Sequence, residues 1–204
     1  MNYEDVTMRK IGFIIGAAAA MAVSSPALAA TDGALSDSDS TGTLDLEVTV
    51  VPMVSIRGLD DLSMTIDAAT IASNFGSTSA ISQFCVFSNA DAAGSYNVSV
   101  NGNAGDGLGN PYGLVGSATG TQLNHTVGYY DAAAYNSVAA AFMRPGVEHA
   151  MENTRAGQSR ATDLNCTNAG GQNASMRVTV RNANALAALA DTYTGSLSVV
   201  VSVP

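Results

Sequence analysis

Tryptophan is absent from this chain of 204 residues, and histidine and cysteine occur twice each. Charged residues make up 12% and aromatics 6%, so neither an ionic network nor an aromatic core can dominate the fold. Lysine occurs once, as Lys10, and the remaining basic residues are arginines scattered among acidic ones. The formal charge is −9, and no basic patch exists to hold nucleic acid or an anionic lipid surface. Long hydrophobic runs are also missing. Residues 11–23 form the one sustained apolar, uncharged stretch, and it is short of the roughly 20 residues that a membrane span needs.

That stretch follows Arg9-Lys10 and leads into Pro26-Ala27-Leu28-Ala29, a small-x-small cleavage pattern. Residues 1–29 are therefore expected to be a secretory signal peptide, with Met8 as an alternative start and a retained N-terminal anchor as the competing reading. Cleavage after Ala29 leaves 175 residues (204 minus 29) with no expected membrane span. Removing Glu4, Asp5, Arg9 and Lys10 takes 17 acidic and 8 basic residues to 15 and 6, still −9. The protein is expected to be exported and acidic. Its length suits one domain with a single core.

What the chain does have is small polar residues and alternation. In residues 43–50, Leu44, Leu46, Val48 and Val50 alternate with Thr43, Asp45, Glu47 and Thr49. Successive side chains of a strand point to opposite faces, so this is a strand with one apolar edge and one wet edge. Residues 30–42, which precede it, have almost nothing to bury and read as a flexible tail. Pro52 follows directly, and residues 51–204 read as a β-sandwich domain.

Within that domain Met53, Val54 and Ile56 form a short extended piece, and residues 62–66 alternate again. Residues 81–87 are apolar on both faces, as in a central strand, and with Tyr96, Val98 and Val100 they are expected to form a hairpin. Residues 101–120, with seven glycines, read as a loose connection. Residues 122–130 return to strand character, 132–142 are ambiguous, and 146–164 read as loop. Met176, Val178 and Val180 mark a half-buried strand, and 183–190 a helical turn or crossing loop. In the last stretch Tyr193, Leu197, Val199, Val201 and Val203 share one face, with Val200 against the pattern. Many short strands, glycine-rich turns and no long amphipathic helix predict an all-β sandwich.

Cys85 lies in the expected central strand and Cys166 precedes a glycine turn. In an oxidising compartment two cysteines allow one intramolecular pairing, a staple. Catalytic signals are missing. His125 and His149 have no metal-ligand spacing, no Gly-x-Ser-x-Gly elbow is present, and residues 102–109 lack the ending of a phosphate loop. Asp37 and Asp39 lack the rest of a calcium loop, and the paired carboxylates Asp60-Asp61, directly after an expected turn, read as capping or solubilising rather than catalytic. No enzyme, metal or cofactor is expected. Tyr112, Tyr129, Tyr130 and Tyr135 could stack on a ligand or pack the sandwich.

The strand at 43–50, the short strand at 53–56, Gln83-Phe84-Cys85-Val86 and the alternating stretch at 193–203 together resemble subunits of chaperone–usher pili. The nearest branch is the archaic fimbrial, spore-coat-protein-U-like group. In that group the first cysteine often stands where this chain has Met53, so Cys85 must here look to Cys166. The resemblance implies an immunoglobulin-like sandwich lacking one strand. A periplasmic chaperone and then the next subunit would complete it, at an outer-membrane usher. Leu44, Leu46, Val48 and Val50 would be the donated side chains. The competing reading is a self-contained secreted sandwich, a surface or ligand-binding protein whose first strand pairs within its own domain. The lead-in at 30–42 and the break at Val51-Pro52 separate the two: a strand leaving in line reaches a neighbour, whereas a turn folds it back.

Overall fold

The computed structural model describes residues 31–73, 76–103, 111–136, 140–154 and 158–204; the expected leader lies outside these. The chain divides into two units, Met1–Thr49 and Val50–Pro204. In the first, Thr31 and Thr43 form an isolated antiparallel bridge through two backbone hydrogen bonds of 2.9 Å. Residues 44–49 belong to no strand.

The second unit is all-β, with eleven strands in three antiparallel sheets among the described residues. The strands are β1 (Val54–Arg57), β2 (Ser77–Ser88), β3 (Ser95–Asn103), β4 (Gly113–Gly116), β5 (Gln122–Asn124) and β6 (Thr126–Tyr130). They continue with β7 (Ala141–Phe142), β8 (His149–Glu152), β9 (Ala174–Arg181), β10 (Tyr193–Thr194) and β11 (Ser196–Ser202). Two six-residue helices, α1 (Ala68–Ser73) and α2 (Asn182–Ala187), sit in connections. The Asp67 carboxylate starts α1 by accepting from the Thr70 backbone N–H and hydroxyl, both at 2.7 Å.

One sheet runs β1-β2-β9-β6-β7 and a second β11-β3-β8, with β10-β4-β5 as a small third. The two larger sheets enclose the core. From the first come Phe84, Val86, Val127, Tyr129, Met176 and Val178; from the second come Tyr96, Val98, Val100 and Met151. The pairing explains why these residues meet. Val127 opposes Val178, Tyr129 opposes Met176, and Val98 and Val100 oppose Val201 and Val199, so matched registers keep the aliphatics on one face.

The hairpin expected from 81–101 does not form. Strand β2 spends one edge on β1 and the other on β9, so β3 crosses to the opposite sheet and pairs with β11 and β8. The crossing turn needs Gly94, with φ +67°. A Cβ there would meet Asn153 and Arg160 at 2.7 Å. The loose connection expected at 101–120 holds the end of β3 and all of β4, and β8 lies inside the expected loop at 146–164. Gly113 hides β4 from a propensity reading, yet the Gln122 side chain on β5 occupies the place of its Cβ.

Strand β2 is apolar on both faces for a structural reason. Its inner face carries Phe84 and Val86. On the outer face Cys85 is covered by a satellite cluster of Ala161 and Cys166, packed by Phe87 and Ala169. A disulfide joins Cys85 to Cys166, Cα–Cα 5.7 Å, across a sequence separation of 81. Cys166 itself takes a left-handed φ of 51°, just before a 3-10 turn at Thr167–Ala169.

Candidate functional site

Each of the two larger sheets ends in two outer strands, β1 and β7 in one and β11 and β8 in the other. On one side of the sandwich β7 leads into β8. Met143 and Met151 are buried there, and Gly146 N–H donates to the Val100 carbonyl at 3.0 Å. On the other side lie β1 and β11, in contact with each other. Each has a ladder on one edge only among the described residues.

The apolar side chains of β1 and β11 pack on the core yet stay half-exposed. Val54 and Ile56 come from β1, and Leu197, Val199 and Val201 from β11. Beyond β1 the chain keeps to the flank of β2, where Asp60 N–H donates to Ser82 Oγ at 3.2 Å. Leu62 and Met64 then join the same half-buried row. The alternation read at 62–66 is thus real as burial, although no ladder forms there. The outcome is a half-exposed apolar row along two outer strands, each with one edge that carries no ladder among the described residues, a setting suited to an added strand.

Of the face predicted for the last stretch, Leu197, Val199 and Val201 share this half-buried row. Tyr193 does not. Gly195 interrupts the run, and Tyr193 belongs to β10 in the small sheet, its hydroxyl donating to Leu189 O at 2.8 Å. Val203 lies past the end of β11 and is 41% exposed. The aliphatic residues of the first alternating stretch are strongly exposed: Leu44 80%, Leu46 84%, Val48 73% and Val50 71%.

Three of the four tyrosines considered for ligand stacking are core residues. Tyr129 is fully buried, and its ring lies 5.8 Å from Phe84. Burial above all, and then the neighbouring Tyr96, push its hydroxyl well above the usual phenol range. Tyr112 is buried, donates to Val100 O at 3.2 Å and has its pKa raised to about 12 by desolvation. Tyr130 is buried against Tyr135. Tyr135 alone of the four is half-exposed, and Arg177 lies over its ring at 4.6 Å. The four form no common platform.

Two asparagines that sequence reasoning passed over shape the surroundings of this row. Asn173 is buried, and its side chain accepts from Val86 N–H at 2.7 Å and donates to Val86 O at 2.8 Å. It extends the β9 ladder on β2 from the residue just ahead of the start of β9 at Ala174. Asn89 does the same service for the chain entering β1. It accepts from Met53 N–H at 2.5 Å and donates to Val51 O at 3.2 Å. No sequence signal separates these from other loop asparagines.

His125 packs on Tyr112 with ring centroids 5.6 Å apart, and neither ring nitrogen has a hydrogen-bond partner among the described residues. Burial lowers its pKa. No three His, Cys, Asp or Glu side chains gather as a metal site among the described residues. No described helix is long and apolar enough to cross a membrane.

No protein-family model matches the chain, and no curated protein matches it. Among solved structures it is similar to a chain from a study described as "Chaperone-tip adhesin complex is vital for synergistic activation of CFA/I fimbriae biogenesis". The identity is 10% and the TM-score 0.46; the match spans 74% of this chain and 41% of that one.

Proposed function

We propose that the protein is a structural subunit of a surface fimbria, assembled by donor-strand exchange between copies of this or related chains. One observation carries the reading: the half-exposed apolar row of Val54 and Ile56 on β1 and Leu197, Val199 and Val201 on β11, two outer strands with an edge that carries no ladder among the described residues, which in this reading wall an acceptor groove. The occupant is residues 43–50 of a neighbouring subunit. Leu44, Leu46, Val48 and Val50 supply the alternating apolar row that such a groove takes, and they stand exposed. Burying four aliphatic side chains at about 1.5 to 3 kcal/mol each gives about 6 to 12 kcal/mol, an upper figure because unfolded chains already bury some surface. Ladders to β1 and β11 add register.

An apolar strand and an apolar groove exposed in one molecule are an aggregation hazard. A periplasmic chaperone that occupies the groove in transit, and an outer-membrane usher where the strands are exchanged, follow as partners. Neither an enzymatic activity nor a cofactor enters this role.

The test is a denaturing gel of the sheared cell-surface fraction, unheated and heated, probed with an antibody to the chain. A ladder at multiples of the mature mass that collapses to monomer on boiling is expected. A lone monomer in both lanes, with soluble secreted protein, would sink the reading in favour of a self-contained sandwich.

A further inference from the structure

The segment between the exposed stretch at 43–50 and β1 is only three residues long: Val51, Pro52 and Met53. Hairpin loops of two to five residues are the common ones, so by length alone a subunit could fold residues 43–50 back beside its own β1. Asn89 stands against that. Its backbone N–H donates to Met53 O at 3.2 Å, one step beyond the last β1–β2 pair, Val54 with Ser88. Its side chain then accepts from Met53 N–H and donates to Val51 O. One amide orientation satisfies both bonds, since the oxygen must face the N–H and the nitrogen the carbonyl. Pro52, between them, has no N–H to offer and fixes its own φ, while Val51 is held extended by the proline that follows.

We propose that Asn89 is a positioning residue for strand exchange. By bonding residues 51–53 along the line of β1 it denies them the turn that would deliver residues 43–50 to the subunit's own groove. The segment is left for a neighbour. This inference rests on the fimbrial reading and adds what sets exchange between subunits above closure within one.

The experiment compares the full exported chain as wild type, Asn89→Ala and Asn89→Asp, in sheared-surface and periplasmic fractions on unheated and heated denaturing gels. Asn89→Ala is expected to lose the ladder about tenfold and to accumulate a compact monomer that slows to its ordinary mobility on boiling. Asn89→Asp keeps the acceptor for Met53 N–H but loses the donor to Val51 O, and is expected to fall between. A wild-type ladder matched by an equal ladder in Asn89→Ala, without compact monomer, overturns the role of Asn89 and leaves the fimbrial reading standing. A wild type with no ladder overturns both. Hydrogen exchange on the wild-type polymer covers the case of a variant that does not fold. The Met53 amide is expected to exchange as slowly as the β1 ladder amides, and exchange at the rate of an open loop overturns the clamp.

Discussion

The hydroxyls of Tyr96 and Tyr129 meet at 2.9 Å in the centre of the core, joining β3 of one sheet to β6 of the other. Both rings are fully buried. A polar contact in this setting specifies how the sheets face each other, because an aliphatic pair could slide where two hydroxyls cannot. Tyr96→Phe strands the Tyr129 hydroxyl and is expected to cost about 1 to 3 kcal/mol in denaturant unfolding. The double change to phenylalanine is expected to cost less than the sum of the single ones. Full additivity would show that the hydroxyls are not coupled.

The disulfide closes a loop with a sequence separation of 81. In the chain-entropy account that is about 4.5 kcal/mol, or a melting temperature about 10 to 15 °C lower when Cys85 and Cys166 are both replaced by serine. Calorimetry of the oxidised and doubly substituted chains measures it. A shift under about 2 °C would mean that the reduced chain already holds this loop closed.

His125 gives a pH dependence whose sign is fixed by its surroundings. Its folded pKa lies below the ordinary 6.5 because burial disfavours the imidazolium. The unfolded chain therefore takes up the proton first. Stability is full above about pH 6.5 and is lost as pH falls from there through the folded value. His125→Phe is expected to flatten this limb of the unfolding profile, measured between about pH 7 and 5. An unchanged limb would assign it to carboxylates.

A charge in the groove and a charge on the incoming strand should have the same effect on assembly and different effects on the subunit. Leu46→Asp leaves the sandwich intact and is expected to remove the heat-sensitive ladder. Val199→Asp is expected to remove it too, while also lowering subunit stability, because Val199 packs on the core. Oxidised, protease-resistant monomer from Leu46→Asp with an undiminished ladder would exclude residues 43–50 as the strand exchanged.

Sequence periodicity revealed strands more reliably than their partners. Alternation at Tyr96, Val98 and Val100 and at Met176, Val178 and Val180 marked β3 and β9, since half-buried strands must carry it. The same pattern could not tell that β2 has both edges taken, which is decided by residues up to a hundred positions away. Strand β4 was obscured by its glycines, Gly113 making room for Gln122 and Gly116 for Thr119 and Asp191, and β8 by its short, mixed His-Ala-Met-Glu sequence. The apolar row of β11 was legible in Leu197, Val199 and Val201. Its break at Gly195, which moves Tyr193 to another sheet, was not. Asn89 and Asn173 act through backbone groups of distant residues, and such roles leave no local trace.

In the proposed fimbrial assembly each subunit has a valence of two: it receives one strand and lends one. The two contacts use different surfaces, so the interface is head-to-tail and need never close on itself. Objects joined this way grow as unbranched lines with distinct ends, one presenting an empty groove and the other an unspent strand. A chain that brings a groove but no strand, or a strand but no groove, would therefore act as a terminator, and filament length would follow from its abundance relative to ordinary subunits.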